Sequence, residues 1–319
     1  MSSISLHMLK DSLQMVWDLL DGDIQELMIN GPDDVWVESA GKVHKRDRKI
    51  SKIQIQSAIH LLGRMNSKDV KAKDGESIID ARLPGFRIAA CIEPISVKGP
   101  SISIRKHNPI VLTLEDYVKQ GALTAEDCIL LRQIVCEHKN ILIVGGTSSG
   151  KTTFFNALID EIDKSERVIT IEDTQELQVK APNWVPFEAN TQAGVTSRDL
   201  LKLSLRYRPD RILVGEVRGA EAYDLMQAAN TGHDGVMATL HASSAAKGIS
   251  RLENLIMTSD VQWPLPAIRN AIAETFNYII FLARRNGKRG IEQLLRMDSY
   301  DHSNSRYNYT LLIDRKEKQ

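Results

Sequence analysis

Eight consecutive residues, Gly145, Gly146, Thr147, Ser148, Ser149, Gly150, Lys151 and Thr152, form the pattern G-x-x-x-x-G-K-[ST], and Thr153 follows directly. Small residues over such a stretch let successive backbone N–H groups turn toward one point. The positive end of a following helix adds to them, so a polyphosphate can be held there. The pattern carries this meaning only between a strand and a helix. Here it follows the apolar run 140–144 and opens a helix expected over residues 151–159. ATP is the expected ligand, with Lys151 reaching the β- and γ-phosphates and Thr152 offering its hydroxyl to Mg²⁺.

Breaking a phosphoanhydride bond needs more than a cradle. It needs a carboxylate to order or deprotonate water, a metal shell, and cations for the charge on the γ-phosphate. The acidic stretch 172–176, led by Glu172, directly follows the apolar run 169–171, at a strand's C-terminal end where ligands of open α/β sheets bind. Glu216 follows a second such run, 211–215, as a metal- or water-ordering acid would, and His241 closes a third, 236–240. An isolated acid after a strand is usually a helix cap or a solvated group; a phosphate loop on the same sheet favours the catalytic reading. Arg206, Arg208, Arg211 and Arg218 bracket the strand before Glu216, as candidates for phosphate contact. Arg105 stands at the end of a first domain, where closure could deliver it to the γ-phosphate as an arginine finger, with Arg87 and Arg208 next in line for that contact. His233 and His241 have no partner at metal-like spacing, which disfavours zinc.

These residues require a sheet whose strands end together. The runs 168–171, 212–214 and 236–240 are short and apolar with helical segments between them, the pattern of a parallel sheet covered on both faces. Thr113 and Thr124 each begin an [ST]-x-x-[DE] helix start, which predicts two helices ahead of the phosphate-loop strand. Residues 1–105 read as a smaller α+β domain, with a helix over 9–20, strands at 25–29 and 35–38, a helix over 53–65, and strands near 86–92 and 101–105. Pro94, Gly99-Pro100 and Asn108-Pro109 punctuate its end, so residues 106–112 are the expected linker to a second domain over 113–319. The polar stretch 298–319 reads as a late strand and a frayed end.

At 319 residues and 42% hydrophobic content the chain can bury a sizeable core. Lys plus Arg and Asp plus Glu each total 41, so no global basic field favours nucleic acid as the main ligand. No run reaches the ~20 apolar residues that span a bilayer, and the amino terminus lacks the basic and apolar regions of a signal peptide. The expected location is the cytoplasm. Cys91, Cys128 and Cys136 are scattered without a C-x-x-C pair, as reduced core residues would be.

The blocks GGTSSGKTT, TIEDTQEL, RPDRILVGEVRG and TGHDGVMATLHASS, in this order and at these spacings, resemble the Walker A, Asp box, Walker B and His box of the secretion ATPase superfamily. Its members are the motors of bacterial type II and type IV secretion, pili and conjugation. ELMINGPDDVWVE and GPSISIRK are similar to its N-terminal region, so the resemblance covers nearly the whole chain. The short length, the lack of a paired-cysteine insert and the wording of the third block most resemble TrbB-type conjugal transfer ATPases. The resemblance implies an α/β fold: a RecA-like P-loop NTPase core with a mostly parallel sheet, preceded by a smaller α+β N-terminal domain. It also implies a hexameric ring with ATP between the domains, whose swings serve a secretion or conjugation machinery at the inner membrane. By position, Glu172 matches the Asp-box glutamate acting on the attacking water, Glu216 the Walker B acid near Mg²⁺, and His241 the His-box sensor.

Two residues depart from the pattern. Ser148 stands where the family usually has glycine, which costs backbone freedom, and Gly215 stands where many P-loop proteins carry the Mg²⁺-binding aspartate. Two other classes compete with the motor. A nucleic-acid motor is disfavoured by the neutral charge and an aromatic content of 5%. A nucleotide-gated scaffold with little turnover draws support from Ser148.

Overall fold

The computed structural model describes residues 3–39, 42–65, 70, 77–83, 85–106, 112–190, 193–285 and 288–315. The chain divides into two compact units, Met1–Pro109 and Ile110–Gln319. Of the expected linker 106–112, all but the two end residues lies outside the described residues.

The first unit opens with α1 (Ser3–Ser12), α2 (Gln14–Trp17) and a 3₁₀ turn (Asp18–Asp21). The sequence predicts one helix over 9–20; the backbone instead breaks at Leu13, yet Leu9, Leu13, Val16 and Leu20 stay buried along one stripe. Then follow β1 (Glu26–Ile29), β2 (Val35–Ser39), β3 (Lys42–Arg46), α3 (Lys52–Met65), β4 (Ile78–Leu83), β5 (Phe86–Cys91) and β6 (Ser101–Lys106). The strands form one sheet in the order β3-β2-β1-β6-β5-β4, with antiparallel neighbours. Alternate residues such as Leu27, Ile29, Val35 and Val37 turn into a core shared with the helices.

The second unit runs α4 (Leu114–Lys119), α5 (Ala125–Cys136), β7 (Ile141–Gly145), α6 (Lys151–Ile159), β8 (Val168–Glu172), β9 (Trp184–Glu188), α7 (Ser197–Ser204) and β10 (Arg211–Val214). It continues with α8 (Glu221–Asn230), β11 (Met237–His241), α9 (Ala245–Met257), α10 (Leu265–Thr275), β12 (Tyr278–Arg285), β13 (Lys288–Asp301) and β14 (Arg306–Asp314). Thr113 and Thr124 cap α4 and α5 through reciprocal bonds with Asp116 and Asp127, as their spacing predicts. The sheet order is β14-β13-β12-β7-β11-β10-β8-β9, parallel from β12 to β9. Apolar clusters cover both faces. The C-terminal region differs from the single late strand expected: β12, β13 and β14 form an antiparallel meander. Among the described residues no helix is long and apolar enough to cross a membrane.

Asn140 aligns the starts of three strands. Its Nδ2 donates to the Thr275 carbonyl, its Oδ1 accepts from Val236 N–H, and its own N–H donates to Asn277 Oδ1, each at 2.8 Å. Asn140→Leu keeps the bulk but leaves the Val236 N–H and the Thr275 carbonyl without this partner in a buried place. At about 1–3 kcal/mol for each of the two stranded groups, the urea midpoint should fall by the equivalent of about 2–6 kcal/mol; an unchanged midpoint would show that Asn140 aligns nothing.

Candidate functional site

β7 ends at Gly145, the loop turns, and α6 starts at Lys151. A Cβ at Gly145 would lie 2.5 Å from Ser149 Oγ and 2.7 Å from the Leu282 carbonyl oxygen, so only glycine lets the loop close against β12. Gly150, at φ 91°, is the N-cap of α6 and gives it no side-chain cap, in contrast to the threonine caps of α4, α5 and α7. The first amides of α6 are therefore left for an anion, and the cradle fits a phosphate chain. Ser148 adopts φ 58°, a left-handed conformation that costs a serine about 1–2 kcal/mol relative to its preferred region.

The parallel pairing places His241 of β11 opposite Gly145. The Lys151 ammonium donates to the carbonyls of Gly145 and Gly146 at 3.0 and 2.9 Å and lies 3.3 Å from His241 Nδ1. An ammonium can only donate, so Nδ1 accepts and the ring proton sits on Nε2, which faces Glu216 Oε1 at 3.3 Å. Burial and the Lys151 charge hold the His241 pKa below its ordinary value, in keeping with that neutral tautomer. Burial likewise depresses Lys151. Arg218 closes the chain of contacts, donating to Glu216 Oε2 at 2.8 Å and to Asp173 Oδ2 at 3.0 Å.

The two glutamates meet different surroundings. Burial opposes charge on Glu216, yet the Arg218 bond and the nearby cations hold its carboxyl below the usual range. Glu172 is buried at 5% exposure, and burial pushes it up to about 7 although its Oε1 accepts from the Glu176 and Leu177 amides at 2.9 and 3.0 Å. Its Oε2 is buried with no hydrogen-bond partner. The Glu172 side chain packs against Gly215, where a Cβ would lie 2.9 Å from Glu172 Cγ. An aspartate at 215 would displace this carboxylate, which is the physical reason for glycine there.

Of the residues singled out in the sequence, Lys151, His241, Glu216 and Arg218 thus form one network, with Glu172 on the neighbouring strand end. Arg208 is corrected: it precedes β10, at the opposite end of the parallel strands from the loop, so within this chain it does not face the site. Arg211 is corrected too. It is buried at 1% exposure, held bidentate by Glu166 and donating to the Val135 carbonyl at 2.8 Å, while its Nη1 lies where a Cβ of Gly235 would approach to 2.5 Å. Arg87 and Arg105 are neighbours on the first unit's sheet, Arg87 paired with Asp80 at 3.2 Å. Sequence reasoning missed Arg289 of β13, whose Cδ lies 3.2 Å from where a Gly150 Cβ would be. No local pattern marks it, because the antiparallel meander alone brings it there.

The sequence matches the family described as Type II/IV secretion system protein over residues 10–304. The chain belongs to that family. It is 33% identical over 303 residues to the conjugal transfer protein TrbB of Rhizobium radiobacter, covering 92% of this chain and 90% of that one. Among solved structures it resembles the VirB11 ATPase of the Brucella suis type IV secretion system in complex with sulphate, at 28% identity and a TM-score of 0.51, covering 92% and 97% of the two chains. The Legionella pneumophila ATPase DotB shares the fold at 21% identity and a TM-score of 0.65, covering 91% and 81%.

Because the Glu172 pKa lies near 7 in this secretion-family chain against an ordinary 4.5, its favourable contribution is complete below 4.5 and is lost as pH rises through 7. Glu172→Gln keeps the acceptor for both amides and removes the titrating charge. The variant should match the wild type in thermal stability near pH 4 and exceed it above pH 7, by on the order of 3 kcal/mol. A stability difference that does not change with pH would refute the raised pKa.

Proposed function

We propose that the chain hydrolyses ATP on the 145–153 loop through Glu172 and Glu216, and that it works as a ring-forming motor of a conjugative or type IV secretion apparatus. That it is a secretion ATPase follows from its family. The observation that carries the site assignment is the connected set Lys151, His241, Glu216, Arg218 and Asp173 beside an uncapped α6. Lys151 exchanges backbone carbonyls for the β- and γ-phosphates. Thr152 and Glu216 are the residues that would hold Mg²⁺, which supplies charge neutralisation when bound. Glu172, with a pKa about 7, is suited to take the proton of the attacking water. His241, neutral with its proton on Nε2, senses whether Lys151 and Glu216 are engaged by nucleotide. Arg218 is exposed enough to turn from Glu216 to the γ-phosphate.

The parallel strands that end in these residues support a RecA-like core. The division near residue 109 supports an α+β N-terminal domain over 1–105, a linker over 106–112 and an ATPase domain over 113–319. The exposed Arg105 has no ion-pair partner among the described residues, which suits a cation delivered to the γ-phosphate by domain closure, with Arg87 as the alternative. The ring is hexameric in this reading, and the motor works from the cytoplasm, peripherally at the inner membrane. Nucleic acid is not its primary ligand, in keeping with a net charge of +0.

Lys151→Ala should abolish ATP hydrolysis with little change in melting temperature; activity near wild type would remove the loop from the mechanism. Glu172→Gln and Glu216→Gln should bind nucleotide yet turn it over at least ~10²-fold more slowly, and without stimulation by single-stranded DNA. Arg105→Ala should cut turnover and weaken a non-hydrolysable ATP analogue while sparing ADP, which lacks the γ-phosphate. Arg105→Lys should restore part of the loss. Equal loss for both nucleotides would assign Arg105 to support of its domain only.

A further inference from the structure

The phosphate loop has two unlike flanks. Gly145 pairs with His241 of β11 on one side and with Leu282 of β12 on the other. The first flank leads through β11 and β10 to β8 and carries His241, Glu216, Arg218 and Glu172. On the second, Ala283 pairs with Gly290 and Arg284 with Arg289, which sets the Arg289 stem against Gly150. A Cβ at Gly150 would lie 3.2 Å from Arg289 Cδ and 3.8 Å from its Cβ. The strand carrying Arg289 is held from behind. A Cβ at Gly290 would meet the Ala122 carbonyl oxygen at 3.3 Å, and that oxygen accepts from Arg315 Nη1 at 2.5 Å. Tyr117, packed edge-on against Phe154 at 5.4 Å, lies close enough to feel the Arg289 charge, which opposes the burial that pushes its phenol up to about 12. Arg289 is an exposed residue and has no hydrogen-bond or ion-pair partner among the described residues.

A nucleotide lying on the loop has distinct ends. Its γ-phosphate belongs beside the acids and the histidine, so its nucleoside leaves toward the flank that carries Arg289. On the reading that ATP binds this loop, we propose that Arg289 lays its guanidinium against the face of the nucleotide base and fixes the nucleoside end. A planar, delocalised cation stacks on an aromatic ring in a way that an ammonium does not reproduce. The contact is common to ATP and ADP, unlike one made to the γ-phosphate.

The test measures equilibrium binding of ADP, a non-hydrolysable ATP analogue and inorganic tripolyphosphate to the full chain, as wild type, Arg289→Ala and Arg289→Lys. ADP and the analogue should each bind Arg289→Ala roughly tenfold more weakly, with lysine recovering little. Tripolyphosphate affinity should be unchanged, which also shows that the loop is intact. Unaltered nucleotide affinity, an equal loss for tripolyphosphate or full rescue by lysine would overturn the proposal. A wild-type chain that binds none of the three would overturn the nucleotide reading itself, and this contact with it.

Discussion

The bracket of hydrogen bonds around Asn140 sets the level at which three parallel strands begin, and therefore the level at which they end. Val236, Thr275 and Asn277 stand just before β11 and β12, and all three bond to this one residue. Five residues further along β7, Gly145 then falls beside His241 and Leu282. A slip of one residue in either neighbour would turn its side chains to the opposite face, and a slip of β11 would carry His241 away from Lys151. Chemistry at the carboxyl ends of these strands thus depends on an amide at their amino ends.

Two carboxylates on neighbouring strand ends are driven apart electrostatically by their surroundings. Glu216 meets cations and stays ionised; Glu172 meets apolar burial and two amides, and titrates near neutrality. In the proposed mechanism, separated pKa values of this kind would divide labour between a charge-stabilising acid and a proton acceptor. Gly215 serves both, because its missing side chain makes room for the Glu172 carboxyl while the backbone continues to Glu216.

The loop, its helix and the parallel strands were legible in the sequence because each signal is local. A Gly/Ser stretch between an apolar run and a helix start has one structural meaning, and helix 151–159 has the predicted limits. Thr113 and Thr124 could be recognised as caps from three-residue spacing alone. What escaped was non-local. β3 is exposed along its whole length and has no apolar alternation to announce it. The β12–β14 meander is fixed by cross-strand pairing, so the arrival of Arg289 at Gly150 left no trace in the residues around it. The arginines showed the same limit from the other side. Arg208, Arg211 and Arg218 lie within one short stretch, yet a four-residue strand sends the first two to one end of the sheet and the third to the other.

Arg211 also bears on how this sequence can change. Its guanidinium fills the space that any side chain at position 235 would need, and its charge is answered by Glu166 at the amino ends of the strands, away from the site. Losing either ionic partner would strand a largely buried charge, at a cost of about 3–5 kcal/mol, and a larger residue at 235 would force the arginine out of its place. Each single step away from this arrangement is therefore disfavoured, whereas a joint replacement by apolar residues of matching volume is tolerable. Positions 166, 211 and 235 should drift through lineages as a linked set.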